Sequence, residues 1–301
     1  MVAPAVTPPL PLASRLGAYV ALTKPRIIEL LLVTTVPTMV VAEGGVPPLW
    51  LIVATVLGGT FAAGGANAIN MYVDRDIDAL MERTRDRPLV TGAVTPRAAL
   101  TFAVGLEVVA FLWLWTFVNL LSAVLALSAC LFYVFIYTLW LKRTSSQNIV
   151  IGGAAGAVPV LIGWSSVTNT VSVSAVVLFA VIFFWTPPHF WALAIKYKDD
   201  YSRADVPMLP SVASYRDTTR KMLAYTLVVW ALTLVFGWTA ELGLLYWVAA
   251  VVLGAVFTWM SVDVMRTESP AKAIRLFTFS ITYITLLFGV MAADVILRNG
   301  W

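Results

Sequence analysis

The chain has 301 residues, 60% of them apolar and only 12% charged, with a mean hydropathy of +0.87. That profile excludes a soluble domain and marks a polytopic integral membrane protein, whose apolar runs reach the roughly 20 residues a bilayer-spanning helix needs. The net charge of +4 and an isoelectric point near 9.2 do not indicate a nucleic-acid partner, because the basic residues sit where membrane topology places them.

Residues 1–20 open with MVAPAVTPPLPLAS, rich in proline and without a basic stretch leading into an apolar run. They read as a disordered leader, neither signal nor transit peptide, ahead of one membrane domain over 21–301. Nine spans follow, at about 26–42, 49–73, 97–117, 121–141, 147–165, 171–193, 218–239, 243–263 and 274–297. They predict an all-α bundle of about nine transmembrane helices around a central cavity. TKPR at Thr23–Arg26 and TPR at Thr95–Arg97 each suggest a threonine N-cap with proline entering the helix. Glu29 and Glu107 lie in or near spans and should face protein, not lipid. Cys130, the one cysteine, falls in an apolar run and reads as packing, which excludes a disulfide or a CxxC metal site. GGAAG at 152–156 suits close helix packing, and the tryptophans suit interfacial belts and lipid contact.

Charge orients the bundle. With the N-terminus in the cytoplasm, 19 of the 20 Lys and Arg residues fall on cytoplasmic segments and only Arg298 lies outside. The second and sixth spans, four apart, both end on that side in an acidic cluster and a proline-containing loop. Two quasi-equivalent halves would bring those clusters together.

The first cluster, NMYVDRDIDALMERTRDRP, covers residues 70–88 and holds nine charged residues. At 100° per residue, Asn70, Asp74 and Asp78 share one helix face. Like charges one turn apart repel, and burying them near hydrocarbon costs roughly 2.5–3.5 kcal/mol each. A bound cation offsets both penalties. The donors are all oxygen, which selects a hard ion, Mg²⁺ by preference, completed by water and phosphate oxygens. Arg83, Arg85, Arg87, Lys142 and Arg143 are placed to grip the same anion. The second cluster, KYKDDYSRADVPMLP, sets Asp199 and Asp200 among Lys196, Lys198 and Arg203. Two metal-binding clusters with interspersed cations fit one task, holding and activating a diphosphate leaving group. His189, the only histidine, lies in TPPHF inside the sixth span. On the residues alone it reads as a partner of a backbone carbonyl freed by Pro187 and Pro188. Gln147 and Asn148, at the start of the fifth span, read as caps or substrate contacts.

At Asn70-x-x-x-Asp74-x-x-x-Asp78 the chain resembles the intramembrane UbiA-type prenyltransferases. Three stretches, NMYVDRDIDALMERTRDRPLVTG, SQNIVIGGAAGAVPVLIGW and WTPPHFWALAIKYKDDYSRADVPMLP, resemble the branch of that family that farnesylates haem. The resemblance implies transfer of a farnesyl group from farnesyl diphosphate to the 2-vinyl group of haem B, with haem as substrate and Mg²⁺ as cofactor. It implies Asp74, Asp78 and Asp200 as catalytic, and Asn70, Asp74, Asp78, Asp199 and Asp200 as metal-holding. Substrate contacts fall to Asn70, Arg83, Arg87, Lys142, Arg143, His189, Lys196, Lys198 and Arg203, with His189 read, as the alternative to a carbonyl partner, as a contact to the haem iron. It further implies a bacterial plasma membrane location, with haem A synthase or oxidase assembly factors as candidate partners. Two departures stand out. The wider family's second motif is DxxxD where this chain has adjacent Asp199 and Asp200, a form the haem branch shares, and Asp205 occupies a position where glycine is expected. Prenylation of a quinone precursor is the nearest alternative, and the second and third stretches argue against it. A cation transporter is the distant one, disfavoured because the carboxylates gather at one face of the membrane.

Overall fold

The computed structural model describes residues 12–300, with side chains for all of these except 12–13 and 26–32. The expectation for Glu29 therefore falls on a side chain outside the described residues. Every regular element among the described residues is helical.

Helix α1 (Leu12–Thr23) occupies ground expected to be leader. Its order has a physical source: Ala18 and Leu22, one turn apart, are buried, and Tyr19 meets the ring of Phe102 edge-on at 5.1 Å. Then come α2 (Pro25–Glu43), α3 (Leu49–Leu80), α4 (Pro96–Phe117) and α5 (Leu120–Leu131). α5 continues through a π-helical stretch, Phe132–Leu141, into the single turn α6 (Lys142–Thr144). Next are α7 (Asn148–Thr168), α8 (Val173–Lys196), the short α9 (Lys198–Arg203) and α10 (Leu209–Val212), and finally α11 (Tyr215–Thr239), α12 (Leu244–Thr267) and α13 (Pro270–Asn299). Counting α5 through α6 as one, eight described helices are long and apolar enough to cross a bilayer. α2, 19 residues long, makes nine long helices among the described residues.

Thr95 caps α4 as expected, accepting a hydrogen bond from the Ala98 amide at 3.3 Å. The start of α2 differs. Its N-cap is Lys24, in the left-handed region at φ 53°, and Thr23 instead donates to the Val20 carbonyl. Proline at position 25 disfavours a right-handed helical conformation in the residue before it, so the chain breaks between α1 and α2 at Lys24.

The helices pack in a closed sequence, with α3 on α4, α4 on α5, α5 on α7, α7 on α8, α8 on α11, α11 on α12, α12 on α13 and α13 back on α2. The two most intimate pairs, α3 with α4 and α8 with α11, are counterparts at the four-span offset seen in the sequence. In lipid, helix association depends on close contact, not on the hydrophobic effect, so small residues mark the seams. Ala99, Ala103 and Ala110 of α4 are fully or almost fully buried. A side chain at Gly65 of α3 would strike the Glu107 carboxyl and the Ala103 carbonyl. Glu107 thus faces protein, as expected, and Cys130 is buried. Among the tryptophans, Trp50, Trp115, Trp140, Trp238 and Trp259 are exposed, while Trp164, Trp185 and Trp191 belong to the core.

One end of the bundle is closed mainly by hydrogen bonds to carbonyls. Asn119 donates to the Ser165 carbonyl at 2.7 Å, Asn299 to Gly44 at 2.8 Å and Ser174 to Thr239 at 2.9 Å. It also holds one buried carboxylate, Asp294, which accepts from the Gly243 amide at 2.6 Å and lies 3.6 Å from Arg298. The other end carries most of the charge.

The GGAAG run gives a test of this packing. A methyl at Gly152 would overlap the Tyr137 ring, whereas one at Gly156 meets nothing within 4 Å. Gly152→Ala should lower the thermal unfolding temperature in detergent, at a cost of about 1–3 kcal/mol from overpacking. Gly156→Ala should not lower it, since alanine is favoured over glycine by about 1 kcal/mol in a helix interior.

Candidate active site

α3 is 32 residues long, about 48 Å at 1.5 Å per residue, against a hydrocarbon thickness of roughly 30 Å. Its final turns therefore run past the apolar layer, and they carry Asn70, Asp74 and Asp78. All three are buried, at 3%, 0% and 2% exposure.

Burial of two carboxylates is tolerated because donors reach them from α3 itself, from the loop after it and from α6, with Lys24 one step further out on Asn70. Asp74 accepts from the Asn70 amide nitrogen at 2.7 Å and from Lys142, with Arg143 at 3.8 Å. Arg87, from the loop after α3, pairs with Asp78 at 2.6 Å. Arg143 also pairs with the exposed Asp76 at 2.7 Å. Lys24, at the α1–α2 break, donates to the Asn70 carbonyl oxygen at 2.8 Å. Burial, joined by the charges of Arg87 and Lys142, brings the Lys24 ammonium down to about 7. One turn before Asn70, Asn67 donates to the Thr23 carbonyl at 3.1 Å. The α1–α2 junction is thereby tied to the acidic row.

Lys24 and Thr138 are site residues that sequence reasoning missed. Lys24 was visible only as a topological charge before a proline. Thr138 lies in an apolar run and had no signal, yet it is fully buried and accepts from Asn70 at 3.1 Å. It sits on the π-helical stretch, a rare geometry that recurs at functional sites.

The second cluster contributes unevenly. Asp200 is buried and paired with Arg203. Asp199, Lys196 and Lys198 are exposed, and none has an ion pair among the described residues. Tyr201 is buried and lies close to Arg83, whose guanidinium also sits 5.8 Å from the Tyr197 ring. The loop after α3 and the helix α9 therefore meet, through an arginine and two tyrosines. Burial pushes the Tyr201 hydroxyl up from its ordinary value, so it stays a donor.

His189 lies deeper. Its ring is stacked between Trp185 at 4.2 Å and Phe277 at 4.6 Å, and its Nδ1 is 2.7 Å from the Ser280 hydroxyl. Ser280 spends its proton on the Phe277 carbonyl at 2.6 Å. The hydroxyl oxygen then accepts from Nδ1–H, and the imidazole keeps its lone pair on Nε2. The partner is a side chain on α13, not a carbonyl freed by the prolines, and α8 runs through Pro187 and Pro188 without a break. Asn148 caps nothing: it is fully buried with neither amide atom hydrogen-bonded among the described residues.

The donor set suits a hard divalent cation. Asp74 Oδ1 is buried without a hydrogen-bond partner among the described residues, and the neighbouring donors are oxygen. Among the described residues no three His, Cys, Asp or Glu side chains gather as a closed cage. An ion held here by Asp74 and Asp78 would take its remaining ligands from water and substrate phosphate, the habit of Mg²⁺.

The Asp205 departure has a conformational meaning. Asp205 sits in the left-handed region at φ 51°, where glycine avoids the steric penalty of a Cβ atom. Asp205→Gly should raise stability by about 1 kcal/mol, read as a higher unfolding temperature with the site's ion pairs intact.

The chain matches the model of the UbiA prenyltransferase family over residues 31–287. It is 55% identical over 289 residues to a protoheme IX farnesyltransferase of Parafrankia sp. (strain EAN1pec), covering 94% of this chain and 91% of that one. It is 53% identical over 294 residues to a protoheme IX farnesyltransferase of Streptomyces avermitilis, covering 96% of both. Among solved structures it resembles a digeranylgeranylglyceryl phosphate synthase, with a TM-score of 0.77 at 15% identity over 94% of this chain and 99% of that one. It also resembles a UbiA homologue from Archaeoglobus fulgidus bound to GPP and Mg²⁺, with a TM-score of 0.65 at 18% identity over 91% and 99%. With its fold, its acidic row and its full-length relatives in agreement, the chain belongs to the UbiA prenyltransferase family.

Proposed function

We propose that this protein is a protohaem IX farnesyltransferase, a haem O synthase, which joins the farnesyl group of farnesyl diphosphate to the 2-vinyl group of haem B. The observation that carries the reading is the buried Asp74–Asp78 pair ringed by Lys24, Arg87, Lys142 and Arg143. It is supported for the acceptor by relatives of that name across nearly the whole chain.

Mg²⁺ held by Asp74 and Asp78, with Asp200 or Asp199 opposite, would supply positive charge against the leaving diphosphate. The chain's own cations do the rest. Lys142, Arg143 and Arg87 give charge-assisted hydrogen bonds to diphosphate oxygens, with Arg83, Lys196, Lys198 and Arg203 at the entrance. The C–O bond breaks with its electron pair going to diphosphate, which leaves an allylic cation. The vinyl π electrons attack that cation, water adds to the resulting carbocation, and a proton departs. Farnesyl diphosphate, haem B and water thus give the hydroxyethylfarnesyl haem and diphosphate. His189 serves the acceptor: its Nε2 lone pair is available to the porphyrin iron while Ser280, Trp185 and Phe277 hold the ring.

The deciding assay combines purified protein in detergent with haem B, farnesyl diphosphate and Mg²⁺, read by mass. Wild type should give a farnesylated haem, and Asp74→Asn should lose on the order of a hundredfold or more in rate. Diphosphate release with haem unchanged would point to a quinone precursor or another aromatic acceptor.

The site lies on the cytoplasmic face of a bacterial plasma membrane in this reading. In a Cys130→Ser background, cysteine at the exposed Gln147 should react with an impermeant maleimide from the cytoplasmic side alone. Cysteine at the exposed Thr170 should react from the opposite side alone.

A further inference from the structure

We propose that Asn70 is not a metal ligand but the hydrogen-bond donor that orients Asp74, and that Thr138 and Lys24 are positioning residues that fix its amide. The inference rests on the diphosphate reading above and assigns roles within that site.

Two independent constraints set the amide. Lys24 donates at 2.8 Å, and in its ammonium form it can only donate, which sets the Asn70 oxygen on that side. On the other side, Asp74 Oδ2 at 2.7 Å is a carboxylate acceptor and requires the nitrogen. Thr138 agrees with the second. Its hydroxyl donates to the Tyr133 carbonyl at 2.8 Å, so its oxygen accepts the other amide hydrogen at 3.1 Å. A flipped amide would set oxygen against carboxylate and NH₂ against ammonium.

The π-helical stretch provides the third point of this clamp. Thr138 reaches the carbonyl five residues back, the spacing of a π turn. Thr38, Thr144, Thr186 and Thr226 each reach the carbonyl four residues back. The widened turn carries Thr138 fully buried onto the face of α3 that holds the acidic row. Asn70 Oδ1, its one good ligand atom, already accepts from Lys24, whose positive charge opposes a metal ion on the second lone pair. What Asn70 presents to Asp74 is an N–H, and Asp74 Oδ1 is the oxygen left without a hydrogen-bond partner among the described residues.

The two roles separate in a metal titration. Mn²⁺ binding to purified protein would be followed by electron paramagnetic resonance, with farnesyl thiodiphosphate present as a substrate analogue that does not depart. Wild type, Asp74→Asn, Asn70→Ala, Thr138→Val and Thr138→Ser would be compared, each first checked for an unchanged thermal transition. Electron–nuclear double resonance on protein carrying ¹³C only in its asparagine side-chain carbonyls separates the two roles. A ligand role predicts the strong Mn²⁺–¹³C coupling of a directly bound carbonyl, lost in Asn70→Ala, and the donor role predicts no such coupling. Thr138→Val should weaken Mn²⁺ binding by about tenfold, with Thr138→Ser restoring it, an effect that loss of bulk packing alone would not reverse. A directly bound ¹³C coupling that Asn70→Ala removes, or an unchanged Thr138→Val, overturns the proposal. If wild type and Asp74→Asn bind Mn²⁺ alike, it is the metal reading of the acidic row that falls.

Discussion

Two carboxylates taken out of water at the end of one helix set the terms for this structure. Leaving either without compensation would cost several kcal/mol. The chain meets that cost with Lys24 from the α1–α2 break, Arg87 from the loop after α3, and Lys142 and Arg143 from α6. These segments are far apart in sequence, so the acidic row organises the charged end of the bundle. In the function proposed above the same cations also meet the arriving diphosphate, since a donor held near a carboxylate is held near an anion bridged to it by metal.

The rest of the molecule is arranged so that this end differs from the other. At the far end, helix ends are closed by amide and hydroxyl contacts to single carbonyls and by one buried carboxylate, Asp294, beside Arg298. Along the spans, close approach is allowed by small residues. Gly65 accommodates Glu107, and Gly152 accommodates Tyr137. Tyr137 lies on the same π-helical stretch as Thr138, so packing of α7 against that stretch and the setting of Asn70 are neighbouring consequences of one local geometry.

Fold and chemistry separate in this family. The chain shares its architecture with solved structures at 15–18% identity, which says nothing about what accepts the prenyl group. In the function proposed above, the acidic row serves diphosphate departure and the acceptor falls to His189, held between two aromatic rings with Nδ1 bonded to Ser280.

The sequence by itself determined the helical membrane class, the nine spans to within a few residues in most cases, and the family, because hydropathy and the spacing of Asn70, Asp74 and Asp78 are local properties of the chain. It read Thr95 as a cap correctly, because a cap is decided within one turn. It misread Thr23, because the proline-driven break at Lys24 overrides the local cap. It placed residues 12–20 in a leader, because the contacts that order α1 come from α3 and α4. Only the tertiary structure decided which charges meet. Nothing in the sequence distinguishes Arg87, paired with Asp78, from Arg85, which is exposed. Adjacent Asp199 and Asp200 look alike until one is buried and the other is not. Thr138 is a lone hydroxyl in an apolar run, and only the π-helical turn, set by packing between helices, brings it to Asn70.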